Sequence, residues 1–314
     1  IEVGGSDANL LLPLYAVIGG GAVAFALDAM RRDREPPPAP PRILAVAIAV
    51  ATVLYALQAS YSEDVGFAAR NIGFFLIPFA ALFVLLTEVR WTPRVLAVTF
   101  GVVAAEALVF ALVGIGQFAA TEIFWNPALE RSNDFHQYFR VNSLFWDPNI
   151  YGRYLAFALV LIAAVLLWTR SLARIAGLAL LGALVFAGLV FGFSQTSFIS
   201  LLAGLLALCA LRYSLLWTAV ATPVVILAAV GAILVIGGTS EQEDDAKEIS
   251  SGRSSLIEGG LELAKDKPLA GHGSASFPVA FREQENLTTG KPAISHNEPV
   301  TVAAEQGAVG LIAY

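Results

Sequence analysis

The stretch VLAVTFGVVAAEALVFALVGIGQ, residues 95–117, carries a single charged side chain, Glu106. It is long enough for a helix to cross the hydrocarbon core of a bilayer, which takes about 20 residues. Apolar runs of the same character recur at 10–27, 43–59, 72–86, 150–168, 175–193, 196–211 and 215–236, and a last one opens near Pro299. A backbone in lipid must satisfy its own hydrogen bonds, so these runs predict an all-α polytopic membrane helix bundle of about nine spans. Composition agrees, since 57% hydrophobic residues, 14% charged residues and a mean hydropathy of +0.71 describe a chain whose solvent is mostly lipid.

The connections between runs alternate in charge. Arg31, Arg32, Arg34 and Arg42 mark one, Arg90 and Arg94 the next but one, then Arg170 and Arg174, then Arg212. Short basic loops stay cytoplasmic during insertion. The intervening stretches 61–71, 118–149, the Ser194-Gln195 turn and the acidic 237–295 loop therefore face outside, and any chemistry they carry is extracytoplasmic. The chain divides into helices one to eight at 1–236, a partly helical outer loop at 237–297 and the start of a further helix at 298–314. It begins without a Met and stops at Tyr314 inside a span, so both ends read as incomplete, with more helices expected.

Other features narrow the function. Cys209 lies inside a run, leaving the outer loops no intramolecular disulfide. A net charge of −6 gives no signature of a nucleic-acid partner. The Pro-rich segment 34–41 reads as a stiff cytoplasmic spacer. The first run is followed by arginines and not preceded by them, unlike a signal peptide. No set of His, Cys and carboxylates has metal-ligand spacing, so neither metal nor cofactor is expected.

The outer loop concentrates the chemistry. After the acidic run at 241–245, Ser250-Ser251-Gly252 is expected to open a helix with Ile257, Leu261 and Ala264 on one face, ended by Lys265, Lys267 and Pro268. Arg253 then falls in the first turn, where its guanidinium would join unpaired N–H groups in a place suited to a phosphate or diphosphate. A surface arginine paired with a carboxylate fits the same spacing. Gly271-His272-Gly273 indicates a tight turn and makes His272 a secondary candidate for a substrate contact. Ser295-His296-Asn297-Glu298-Pro299 sets Asn297 as a helix cap and holds His296 at the mouth of the last run. A histidine there can act as a neutral-pH proton carrier, or donate structurally to a carbonyl.

A second concentration lies at 140–149, Arg140-Val-Asn-Ser-Leu-Phe-Trp-Asp-Pro-Asn149, followed by Tyr151 and Arg153. Phe145, Trp146 and Tyr151 fit an interfacial aromatic belt, and Asp147-Pro148-Asn149 a helix-opening turn. Arg153, a turn into an apolar helix, needs a carboxylate, a phosphate or the interface, and Glu106 needs an interhelical partner or a proton; Glu106, Asn297 and Gln195 join His272 as candidate substrate contacts.

Taken in order, Ser251-Gly-Arg253, Asp266-Lys-Pro-Leu-Ala-Gly-His-Gly273, Phe277, His296-Asn297, Glu305-Gln-Gly307 and Gly310-Leu311 resemble the shared region of the O-antigen ligase and O-antigen polymerase superfamily. The 140–149 segment is similar to that family as well. The resemblance implies a multi-helix inverting glycosyltransferase in the bacterial cytoplasmic (inner) membrane, working at its outer face. Its donor would be a glycan on undecaprenyl diphosphate, its acceptor a glycan or glycolipid. It implies that Arg253 holds the diphosphate and that His296 activates the acceptor hydroxyl. The chain departs from the family pattern where a Ser-Arg pair often fills a short outer turn, because it has Ser194-Gln195 there. Gln195 supplies no positive charge, so either Arg140 or Arg153 makes the second phosphate contact or the donor grip differs. Ile257 replaces a frequent leucine. The same residues fit an O-antigen or exopolysaccharide polymerase. A lipid-linked glycan transporter or flippase, from another class, predicts charged or broken helices along a mid-membrane path, and Glu106 is the carboxylate near the middle of a span.

Overall fold

The computed structural model describes residues 12–30, 42–135, 138–214, 243–286, 295 and 297–314, together with 2–3, 6–7, 216, 218–219 and 222–223; at 2–3, 6–7, 135 and 243–254 it is the backbone that is described. The fold is all-α apart from a two-residue antiparallel pairing of Glu2–Val3 with Ser6–Asp7. Seven helical segments among the described residues are long and apolar enough to cross a membrane. The eighth apolar run, 215–236, lies for the most part outside the described residues. The ninth is a helix of 16 residues. Two compact units make up the chain, one of Ile1–Arg90 with Ser240–Tyr314, the other of Trp91–Thr239.

In the first unit α1 (Leu12–Ala29) packs on α4 (Ile77–Glu88), and Tyr15 Oη donates to Phe74 O at 2.6 Å. The span that ends in α4 starts earlier than hydropathy alone suggests. Asp64 caps α3 (Val65–Asn71) by accepting from Phe67 N at 2.8 Å, and a π-helical turn (Ile72–Leu76) carries the chain into α4 without a break. α2 (Arg42–Ala59) packs against α12 (Glu298–Ala313), and α12 against α10 (Glu243–Asp266), which also contacts α11 (Phe277–Gln284).

α10 corrects two expectations. It begins at Glu243, so Arg253 lies in the interior of the helix and not in its first turn, and the N-terminal dipole does not reach it. Its buried face is Leu263 with Gly259 and Gly260, while Leu261 is exposed. The two glycines explain the shifted register: a side chain at 259 would strike the ring of Phe281, and one at 260 would strike Val300 and Phe277. The rings of α11 fill the space that an apolar side chain of α10 would take. A periodicity that scores only apolar side chains misses this.

The second unit is built on α5 (Pro93–Ala120), α7 (Pro148–Trp168), α8 (Leu172–Phe191) and α9 (Gln195–Arg212), with the short α6 (Pro127–Phe135) in the long connection. Thr92 and Asp147 cap α5 and α7, each followed by a proline that has no N–H to leave orphaned. The core gathers Ala107, Ala111, Tyr151, Leu155, Leu159, Ile162, Val185 and Leu189. Small residues permit close helix packing, as expected between helices in lipid. Tyr151 is not part of an interfacial belt: it is fully buried, with its hydroxyl lodged where Gly114 and Gly188 leave room. Trp146 remains exposed, and Phe145 packs partly buried against the core.

Candidate functional site

In the first unit the chain leaves α10 after Asp266 and is threaded against a break in α12. Gly307 has φ +63° and ψ −162°, which ends the helical hydrogen-bond ladder. The freed groups are taken by the loop that follows α10. His272 N donates to Ala304 O at 3.0 Å and Gly273 N to Glu305 O at 2.8 Å, while Ala308 N donates to Pro268 O at 2.8 Å and Val309 N to Leu269 O at 3.3 Å. Gln58 of α2 adds bonds from Nε2 to Gln306 O at 3.0 Å and Ala270 O at 3.4 Å, and Tyr61 Oη donates to Ala270 O at 2.7 Å. A Cβ at Gly271 would overlap the backbone of Glu305, and one at Gly307 the backbone of Leu269. Gly-His-Gly and Glu-Gln-Gly are thus two sides of one backbone interlock. What the first glycine pair approaches closely is the protein's own main chain.

His272 is buried in this interlock. Its Nδ1 lies 2.8 Å from Glu63 Oε1, so Nδ1 carries the proton of that bond, and its Nε2 lies 3.6 Å from Asp266 Oδ2 without a hydrogen-bond partner. Lys267 Nζ reaches Glu63 Oε1 at 3.1 Å. Burial pushes the Glu63 carboxyl up, but the hydrogen bonds from His272 and Lys267, and the attraction to both, outweigh it and hold the carboxyl below its ordinary range.

Glu305, within the Glu305-Gln-Gly307 string, is a functional candidate that the sequence motifs leave without a role. It is 8% exposed, and its carboxylate accepts from Ala275 N at 2.8 Å and Phe277 N at 3.1 Å, where α11 begins. The signal was available, because a carboxylate in an apolar helix needs a partner wherever it occurs. Beside it lies a cavity of about 580 Å³ lined by Tyr55, Asn71, Phe75, Thr301, Glu298 and Glu305 among others, with no Lys, Arg or His among its described lining residues.

Asn297 caps α12 as expected, accepting from Val300 N at 3.3 Å. Ser295 Oγ donates to Asn297 O at 2.8 Å and accepts from Asn297 N at 3.0 Å, and it also pairs with the Thr301 hydroxyl at 2.5 Å. His296, between these two residues in the sequence, lies outside the described residues, and so does the side chain of Arg253.

The second unit brings Arg140, Arg153 and Gln195 to one junction. Arg140 Nε donates to Gly192 O at 3.4 Å, and Arg153 Nε to Asn149 O at 3.2 Å. Ser194 Oγ ties the two contacts together by donating to Asn149 Oδ1 at 3.0 Å, with Ser197 Oγ 2.7 Å away. Gln195 opens α9 with an exposed side chain. Arg140 is therefore tied to the backbone just before the Ser194-Gln195 turn, and Arg153 to a carbonyl of its own helix, at the residue whose side chain meets Ser194. The segment before α7 is held firmly: Gln117 donates from Nε2 to Ser143 O at 3.2 Å and accepts from Ser143 N at 2.7 Å, and Asn126 Nδ2 donates to Trp146 O at 2.6 Å. Glu106 has its interhelical partner, the Tyr154 hydroxyl, which donates to Oε2 at 2.8 Å between α5 and α7. Among the described residues no group of His, Cys, Asp and Glu is placed to hold a metal ion.

No curated protein and no solved structure matches the chain. A family model does, the one described as O-antigen ligase, over residues 180–314. That range holds the later part of α8, all of α9 to α12, Arg253, the interlock and the Asn297 cap, and it leaves Arg140 and Arg153 outside. Over residues 180–314 the chain is similar to the O-antigen ligase family, which supports its resemblance to the O-antigen ligase/polymerase superfamily.

Proposed function

We propose that this chain is an inverting membrane glycosyltransferase of the O-antigen ligase type, which moves a glycan from undecaprenyl diphosphate to an acceptor sugar at the outer face of the cytoplasmic membrane. The observation that carries the reading is the family match at 180–314, because it spans both Arg253 and His296. The neutral imidazole of His296 accepts the proton of the acceptor hydroxyl as that oxygen attacks the anomeric carbon. The bond from that carbon to the diphosphate breaks on the opposite side, and the leaving diphosphate takes up the charge. Arg253, Arg140 and Arg153 are the cations assigned to that charge, which guanidinium groups neutralise by paired N–H bonds. The bond of Arg140 to Gly192 O, two residues before the Ser194-Gln195 turn, and the place of Arg153 one helical turn after Asn149, whose side chain meets Ser194, support their assignment as replacements for the arginine that the turn lacks.

The broken α12 is also the feature a transporter would show. Here its freed backbone groups are bonded to the 268–273 loop and Gln58, and are not left to coordinate a passing ion, which favours transfer over transport. A polymerase shares the donor chemistry and differs in the acceptor, a second lipid-linked repeat unit.

The test is transfer by purified full-length protein from an undecaprenyl-diphosphate glycan, with and without EDTA. Turnover that resists the chelator and is lost in His296→Ala and Arg253→Ala, both folded, is the expected result. Undiminished turnover in His296→Ala removes the proposed base, and no turnover with either class of acceptor moves the assignment to transport. Wild-type donor affinity in both Arg140→Ala and Arg153→Ala ends the replacement idea.

A further inference from the structure

Glu305 has no part in the chemistry just described, yet it is the most heavily committed residue of the interlock. An ionised side chain in an apolar helix costs free energy unless it is fully bonded. Glu305 is bonded on both carboxylate oxygens and on its carbonyl, by Phe277 N, Ala275 N and Gly273 N. All three donors belong to one turn, residues 273–277, which leads into α11. The carboxylate occupies the opening of that helix, where backbone N–H groups favour an anion.

What this arrangement fixes is an angle. The break at Gly307 uncouples the first half of α12 from the rest of the helix. That half is a short rod held at one end by Glu305 and ending at the other in the 295–297 cap. From Glu305 to the Asn297 cap the rod is ~12 Å long at the helical rise per residue, so a tilt of about 5° displaces the cap by ~1 Å. A displacement of that size at a reacting group lowers turnover by up to about 100-fold.

We propose that Glu305 is a positioning residue of the transfer site: by binding Ala275 N–H and Phe277 N–H it sets the angle at which the first half of α12 presents Ser295 and Asn297, the residues that flank the proposed base in the sequence. The assignment rests on the transferase reading for its effect on turnover. Its structural half stands apart from that reading.

The experiment uses full-length protein in lipid nanodiscs with an undecaprenyl-diphosphate glycan donor, and compares wild type, Glu305→Ala and Glu305→Gln. Truncation to alanine leaves an anion-sized space that opens on the 580 Å³ cavity, through which formate can enter. The expected kcat of Glu305→Ala is lower by about 30- to 100-fold with donor KM within about twofold, and formate restores kcat by about fivefold or more. Glu305→Gln, which keeps the volume and one acceptor oxygen, falls between and guards against an alanine variant that fails to fold. Amide exchange at Ala275 and Phe277 accelerates in Glu305→Ala and slows again with formate. Wild-type kcat in Glu305→Ala overturns the proposal, as does a loss that neither formate nor Glu305→Gln relieves. If wild type itself transfers nothing, the transferase reading falls, and exchange alone decides the anchoring: deprotection reversed by formate supports it, and unchanged protection overturns it.

Discussion

Gly271 and Gly307 stand where one stretch of main chain runs against another, and both have left-handed backbone, with φ +68° and φ +63°. Alanine at either position must bear the conformational cost, about 1–2 kcal/mol, and also push the Glu305 or Leu269 backbone aside. Gly19 is the control: it lies inside α1 with nothing near its missing side chain, and alanine there is expected to stabilise by about 0.5–1 kcal/mol. Melting in detergent checks both directions, and a Gly307→Ala protein as stable as Gly19→Ala would refute the interlock. Glu63 supplies a pH signature. Its carboxyl is held below the ordinary range in the folded protein, so its stabilising contribution is complete above that range and is lost as pH falls through the lower folded value. Wild type should melt above Glu63→Gln by most near neutral pH, and the gap should close as the pH falls below the ordinary carboxylate range. A gap that is constant with pH would mean the pair with His272 and Lys267 does not form.

At the scale of elements, α12 depends on a side chain from another helix. Gln58 is 4% exposed in α2, and its Nε2 covers two carbonyls, that of Gln306 freed by the break and that of Ala270 in the loop threaded against it. Gln58→Leu leaves both without that donor, at an expected cost of about 1–3 kcal/mol. Amide exchange should quicken at Ala308 and Val309, next to the break, while the α5 and α7 amides of the other unit stay protected. Equal loosening everywhere would show a global effect instead. The same elements mark what the sequence makes legible. Apolar run lengths identify seven of the helices because lipid imposes length and polarity on any spanning segment. The Asn297 cap is a local hydrogen bond between near neighbours and reads directly from the string. The buried face of α10, the break in α12 and the roles of Glu63, Gln58 and Glu305 depend on residues up to 248 positions apart. No local period encodes those pairings. Two of them hide behind glycines, whose importance is the space they leave for another segment.

On the scale of the whole molecule, the alternation of arginines makes a claim about the membrane that can be read from outside the cell. Retention of short basic loops fixes orientation during insertion, so every connection with Arg31, Arg90, Arg170 or Arg212 should be cytoplasmic and every one between them external. The chain has one cysteine, Cys209 within α9, so Cys209→Ser gives a thiol-free background in which single cysteines report their side. Tyr61 and Tyr138 are exposed in connections of the second kind, Trp91 and Arg170 in connections of the first. A membrane-impermeant maleimide should label Tyr61→Cys and Tyr138→Cys in intact cells, and Trp91→Cys and Arg170→Cys only after permeabilisation. The full reverse would place the 237–297 loop in the cytoplasm, where a lipid-linked glycan already carried to the outer leaflet could not meet His296. A mixed pattern would show that a span has been misassigned between the labelled positions. Because Tyr61 borders the interlock through its bond to Ala270 O, labelling there also reports the side of the membrane on which the 268–273 loop lies.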